Sequence, residues 1–248
     1  MIAVMALLAA LVGTGLVLLG AGGSIVTVPI LIYVGGLGPE RAAATSLVIV
    51  GIVALVGVVL RRRLVDLRTG LLVGGLGMIG TVPGVWLSHH VPDVVTRLGF
   101  AMILLVAAAS IAGDGAIRGA IAGAPHSFGK VVVAGLLVGV GSGFFGVGGG
   151  FLIVPALTML IGLDVAHAIP TSLFVIALNS VAGVAGHLAY GAVAWDVGGR
   201  FAVAALIGAA LAVPLARRVP PVAVRRAFAT ICVALAIGIV ADSLRTLA

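Results

Sequence analysis

Residues Gly13 to Leu31 read GTGLVLLGAGGSIVTVPIL, and residues Gly139 to Leu157 read GVGSGFFGVGGGFLIVPAL. Laid over each other at an offset of 126, they share five glycines and a proline in one frame. The frame runs on without a gap: Gly36-Leu37 falls on Gly162-Leu163, and Thr45-Ser46-Leu47 on Thr171-Ser172-Leu173. From residue 13 to 47, 14 of 35 positions are identical. Apolar composition alone scatters Leu, Val and Ala matches; it does not align glycines, a proline and a Thr-Ser pair. Later landmarks recur with small gaps: Val65-Asp66 with Trp195-Asp196, Val82-Pro83 with Val213-Pro214, and Pro92 with Pro221. The chain therefore reads as two copies, residues 1–125 and 126–248, joined through the polar stretch Ala112 to Ser127.

Composition says where these copies live. Of 248 residues, 62% are hydrophobic and 8% charged, against about 25% charged in soluble domains. So few charges cannot solvate a globule of this size, which excludes a soluble enzyme or binding module. The 38 glycines suit transmembrane helices that approach closely. The net charge of +7 does not point to nucleic acid, because the arginines cluster between apolar runs and act as topology signals. The amino-terminal run lacks a charged flank and recurs mid-chain, so it reads as a retained membrane segment rather than a signal peptide. Cys232 is the single cysteine, which excludes an intrachain disulfide framework.

Each copy divides into five apolar segments: 2–20, 24–35, 42–60, 70–88 and 94–112, then 130–147, 150–161, 167–187, 199–216 and 223–241. The second of each set has about 12 residues, some 18 Å as helix, short of the ~30 Å hydrocarbon core. It carries Pro29 or Pro155 just after a glycine cluster. Five is odd, so the copies have opposite orientations. Placing Arg61-Arg62-Arg63 inside puts 10 of the 14 basic residues inside and both termini outside. The fold class is thus all-α and polytopic, with two inverted repeats. Matched short, Gly/Pro-interrupted segments are the signature of a secondary transporter with its site at the repeat interface.

These tandem Gly-Gly…Val-Pro segments, each followed by Thr-Ser and a later Asp at a helix start, resemble the sulfite exporter TauE/SafE family of membrane permeases. The resemblance covers essentially the whole chain. It implies permeation of small anions, chiefly sulfite, sulfonates and related sulfur oxyanions, across a bacterial or archaeal cell membrane. One departure is that copy one has Ala21-Gly22-Gly23-Ser24 where copy two has Val147-Gly148-Gly149-Gly150.

The residues suggest how an anion would be held. A helix start carries unpaired N–H groups and about +0.5 charge, so Gly22, Gly23, Ser24 and Gly148, Gly149, Gly150 would bind an oxyanion at mid-membrane without any Lys or Arg. Close helix packing is the competing role for these glycines. Pro29 and Pro155 each remove a backbone donor and serve as kinks or hinges. Thr45, Ser46, Thr171 and Ser172 start the third segments and either cap helices or donate to the ligand. Asn179 is the strongly polar group inside the third segment of copy two, where copy one has Val53; it needs a partner, protein or substrate. Asp66 and Asp196 are expected as helix caps. Gly70-x3-Gly74 and Gly80-x3-Gly84 read as packing pairs. His89-His90 with Asp93 is a poor metal site, because adjacent helical side chains point some 100° apart. Asp164, His167 and His187 sit at the mouths, His187 at the outer face as a pH-sensing candidate.

No Walker loop, HExxH or Ser-His-Asp spacing appears, so no cofactor, metal or enzyme activity is expected. The partners expected are the anion and the lipid bilayer, with room for proton coupling through a histidine and for a homo-oligomer. The reading is a permease working by alternating access; the rivals are a channel-like anion facilitator and an accessory membrane subunit that transports nothing.

Overall fold

In a computed structural model, the described residues are 2–19, 22–112, 128–146, 153–154, 156–157, 161–188, 193–215 and 221–247. Among them are nine α-helices and no strand. They are α1 (Ile2–Leu19), α2 (Gly22–Tyr33), α3 (Pro39–Leu60), α4 (Leu67–Ser88), α5 (Asp93–Ala112), α6 (Phe128–Phe145), α7 (Val165–Leu188), α8 (Trp195–Leu215) and α9 (Pro221–Leu247). The expected boundary between copies lies within 113–127, outside the described residues. The helices match the apolar runs to within a few residues, except that α9 continues to Leu247.

Local chemistry sets the ends. Pro39 and Glu40 open α3, where a proline loses no hydrogen bond and an acid faces the helix dipole. Asp66 caps α4, accepting from the Thr69 N–H at 3.1 Å and from its hydroxyl at 2.9 Å. The short helix α2 stops at Gly36, whose φ of +67° needs no Cβ. The Leu37 N–H then donates to the Leu31 carbonyl at 3.1 Å. Copy two repeats this ending at Gly162, φ +73°, with Leu163 N–H to Leu157 carbonyl at 2.9 Å.

The helices α3, α4, α7 and α8 are long and apolar enough to cross a bilayer. Their outer faces expose Leu55, Val59, Leu71, Ile79, Val82, Val203, Ile207 and Leu211, a surface suited to lipid rather than water.

The copies exchange helices. In each, the fourth helix packs on the first helix of the other copy: α4 on α6, and α8 on α1. On α4 and α6, Gly77 meets Gly139 and Thr81 meets Gly143, while Gly80 meets Leu136 and Gly84 meets Val140. Residue numbers rise together, so the two helices are parallel. On α1 and α8, Gly13 meets Ala205 and Gly208 meets Ala10. These are the Gly139–Gly77 and Gly80–Leu136 contacts again, displaced by 126 and 128 residues.

The third helices, α3 and α7, run the other way. Leu47 meets Gly183, Gly51 meets Ser180, and Gly57 meets Leu173, with numbers falling along one helix as they rise along the other. Two equivalent helices packed antiparallel make the repeats inverted: the axis relating them lies across the helices, in the membrane plane. This register corrects one expected match. Asp66 corresponds to Ala194, not to Asp196, because α4 and α8 start at Leu67 and Trp195. Asp196 therefore lies in the first turn of α8 rather than at its cap.

A side chain at Gly13, Gly80, Gly139 or Gly208 would run into backbone of the facing helix. Gly80→Ala and Gly208→Ala are expected to destabilise the purified protein by at least the ~1–3 kcal/mol typical of overpacking. Gly75, with nothing within 4 Å of an added Cβ, is the control: Gly75→Ala leaves thermal stability in detergent unchanged or raised.

Candidate functional site

Three of the four hydroxyls of the repeated Thr-Ser pairs join the copies. Thr171 on α7 accepts a hydrogen bond from the Asp66 N–H at 2.9 Å, and Thr45 on α3 accepts from the Ala194 N–H at 3.0 Å. These are one bond made twice, at opposite ends of the bundle. Each satisfies a backbone donor beside a helix start. Ser46 donates to the Gly146 carbonyl at the end of α6 (2.7 Å), whereas Ser172 donates locally to the Ile169 carbonyl (2.7 Å). Each threonine hydroxyl still has a proton to give, but the first task of these four side chains is structural.

Asn179 is different. It is fully buried near the middle of α7, and neither its amide nitrogen nor its oxygen has a hydrogen-bond partner among the described residues. It lies against Gly77 of α4, where a Cβ would overlap Oδ1. Ser142 on α6 and Ser180 on α7 are also buried, and their hydroxyls are unpartnered among the described residues. An unmet buried polar group costs roughly 1–3 kcal/mol, which makes these groups on α6 and α7 candidates for contact with a polar ligand. Sequence reading found Asn179 but not Ser142 or Ser180, since a lone serine in an apolar helix looks like any small packing residue.

The end of α6 at Gly146 and the start of α2 at Gly22 lie at different depths. Gly139 packs at the level of Gly77 and Asn179, and Gly146 follows seven residues later, about 10 Å nearer the Pro39 face. There it packs on Ala43, with a φ of +65°. Its counterpart helix α1 is level with α8 at Gly13 and continues toward the opposite face, so α2 begins at Gly22 and Gly23 on that other side. Whether the two glycine clusters face each other at mid-membrane, as the sequence suggests, turns on Gly148, Gly149 and Gly150, which lie outside the described residues. Ser24 and Thr27 on α2 are buried and already engaged by neighbours. Gly148, Gly149, Gly150 and Pro155 lie outside the described residues.

At the Pro39 face a cavity of about 110 Å³ is lined by Pro29, Glu40, Ala43, Ser88, His89 and Arg97, among others. Nδ1 of His89 pairs with Glu40 at 3.1 Å. Arg97 on α5 pairs with Asp242 on α9 at 3.0 Å, joining the copies at this mouth. His187, expected at the outer surface, is instead fully buried in the last turn of α7, because that helix runs on to Leu188 and packs inward. Its ring meets His89 edge to face, centroids 5.4 Å apart. His90 turns away and stacks on Trp86, which is the divergence expected of adjacent helical histidines. At the other face, exposed His167 pairs with Asp164. The Asp66 carboxyl is held below the usual carboxylate range, chiefly by the Thr69 N–H it accepts.

A bundle of inverted repeats with a buried polar centre and lipid-facing flanks defines a polytopic α-helical membrane protein. The family model for the sulfite exporter TauE/SafE matches residues 5–239, and the chain belongs to that family. It is 30% identical to a probable membrane transporter protein of Xylella fastidiosa, across 93% of this chain and 91% of that one. It is 29% identical to the probable membrane transporter protein YunE of Bacillus subtilis, across 77% and 79%. It is 26% identical to YdhB of the same organism, also named a probable membrane transporter protein, across 88% and 91%. No solved structure matches the chain. The protein is a multi-pass membrane transporter.

The two threonine tethers yield unequal expected losses. Thr45→Val and Thr171→Val each strand a backbone N–H, worth about 1–3 kcal/mol when buried. The Ala194 N–H is enclosed and that of Asp66 only partly so. Thr45→Val is therefore expected to lower the unfolding temperature in detergent more than Thr171→Val.

Proposed function

We propose that the protein carries a small anion, a sulfur oxyanion such as sulfite or a sulfonate, by alternating access of its two copies around Asn179. The observation that carries this is the fully buried Asn179 amide without a partner among the described residues, at the level where α4, α6 and α7 meet. An amide offers two N–H donors to oxyanion oxygens. Ser142 on α6 and Ser180, which follows Asn179 on α7 and packs against Gly51 of α3, supply further buried hydroxyls. The glycine clusters Gly22–Gly23–Ser24 and Gly148–Gly149–Gly150 serve, on this reading, as stations for the anion. Their backbone N–H groups provide positive potential where no Lys or Arg is needed. The Thr45 and Thr171 hydroxyls, each with a proton still to give, add donors along the way, Ser46 and Ser172 join them when their protons are released from the Gly146 and Ile169 carbonyls, and Pro29 and Pro155 act as hinges. Family membership and the names of the relatives support transport; the choice of anion rests on the family description and this donor chemistry.

The test is flux into proteoliposomes of labelled sulfite, thiosulfate, sulfonates and carboxylates. Saturable uptake with counterflow is expected for a sulfur oxyanion, and non-saturating flux without counterflow would replace the carrier by a channel. Asn179→Leu is expected to abolish flux with normal membrane insertion. Ser24→Ala weakens apparent affinity about tenfold, the equivalent of ~1.4 kcal/mol, and Gly149→Val blocks flux by closing the break. Parent-like transport by all three at equal abundance would move the site elsewhere.

The arginine distribution orients the protein with the Pro39 face and both termini outside. In a Cys232→Ser background, single cysteines at exposed His90 and Asp196 should react with an impermeant thiol reagent on intact cells. Cysteines at exposed Arg63 and Val222 should not. Labelling at Val222 but not at Asp196 reverses the assigned orientation of copy two.

A further inference from the structure

The buried histidine pair has no part in holding an anion, yet it is built into the wall between the outer cavity and the core. Glu40 is half exposed, with 49% of its side chain accessible, while His89 keeps 9%. His187 lies behind His89 and is fully buried. Neither His187 ring nitrogen meets a partner at full hydrogen-bond geometry among the described residues; the nearest candidate is the backbone of Gly143. The three groups thus step from water into the protein. A buried imidazole with unmet nitrogens is costly as a packing element, and the sequence had many apolar alternatives.

The two-fold relation adds a second observation. Gly57 and Gly183 are equivalent, each meeting the leucine of the other copy. One turn further along, the counterpart of His187 is Arg61. At equivalent positions, one mouth carries a guanidinium that is always charged, and the other an imidazole whose charge depends on pH. The other groups facing His187 are few. From α3 there is Glu40, with Arg41 beside it on the exposed side; from the end of α4 there are His89 and the outward-turned His90. The facing parts of α6 offer only Ser142, Gly143 and Gly146, and the described part of α1 offers nothing titratable. Arg97 lines the same cavity but is held by Asp242.

We propose that Glu40, His89 and His187 form a proton-loading site at the outer mouth, which couples anion movement to proton uptake from that side. The proton arrives from water in the cavity, which is roomy enough for several molecules. It rests on His89 as an imidazolium paired with the Glu40 carboxylate. It then passes to a ring nitrogen of His187, directly after a ring rotation or through one water. Only N–H bonds are exchanged, and one positive charge moves inward to offset the charge of the anion. The site rests on the anion-transport reading, but it is separable from it, because counterflow exchanges labelled for unlabelled anion without net proton movement.

The experiment compares the parent with His187→Gln, His89→Gln and Glu40→Gln in proteoliposomes, using labelled sulfite. Two quantities are measured: counterflow at equal pH, and accumulation driven by an imposed pH gradient, with a trapped pH dye recording proton entry. In the parent, the gradient drives sulfite accumulation together with protons. In His187→Gln, gradient-driven accumulation and dye response fall by about tenfold or more, within the usual range for coupling between sites, while counterflow persists. His89→Gln behaves similarly, and Glu40→Gln shifts the pH profile of uptake. Persisting counterflow shows that the variants are folded. Undiminished gradient-driven accumulation in His187→Gln overturns the proposal, as does a parent that performs counterflow but ignores the gradient. A parent without counterflow for sulfite or any other anion tested overturns the transport reading itself, and the proton site with it.

Discussion

Backbone touching backbone holds this molecule together. In lipid, apolar side chains gain little by leaving their surroundings, so helices associate through close packing and interhelical hydrogen bonds. Gly13, Gly80, Gly139 and Gly208 present bare backbone to a facing helix with no room for a Cβ. The contacts join the first helix of each copy to the fourth of the other. The Thr45 and Thr171 hydroxyls secure the starts of those same fourth helices. Asn179 reaches the middle of the bundle because Gly77, part of the same seam, makes space for it.

Interior polarity follows a simple division. The groups near the centre are neutral: an amide and two serine hydroxyls. The charged side chains sit at the mouths, as Glu40–His89 and Arg97–Asp242 on one side and Asp164–His167 on the other. Charge at the bilayer centre is expensive, and a neutral amide or hydroxyl there costs less. On the proposed reading, an anion crossing such a path would meet donors without fixed countercharges, and would leave as readily as it enters.

Much of this was legible in the sequence. The offset of 126 between copies survives in the structure at Leu47 and Leu173 and at Gly36 and Gly162, because glycine ends and close crossings tolerate few substitutes. The segment limits were legible because Gly, Pro and Arg bound the apolar runs. What escaped were interactions made by backbone. The Ala194 N–H does for Thr45 what the Asp66 N–H does for Thr171, and any residue type supplies an N–H. Matching the two aspartates therefore misplaced the second fourth helix by two residues. The Thr-Ser pairs recur for a reason the repeat alone does not reveal: three of their four hydroxyls, those of Thr45, Ser46 and Thr171, bond to the other copy. His187 was misplaced because its polarity suggested a rim, and only packing of α7 against α4 and α6 shows it enclosed.

The exchanged helices also bear on how such a chain is made. After the first five segments have entered the bilayer, α1 and α4 still present bare glycine seams, and α3 lacks the helix it crosses. None of these surfaces can close on its own copy, since their partners are α8, α6 and α7. The first half thus lacks the packing partners of three of its helices until the second half is present. The same geometry means that the linker at 113–127 is not what defines the contacts. Two separate copies of one such repeat, inserted in opposing orientations, would find the same seams in each other, and a single chain is a way of guaranteeing that both orientations are always present in equal number.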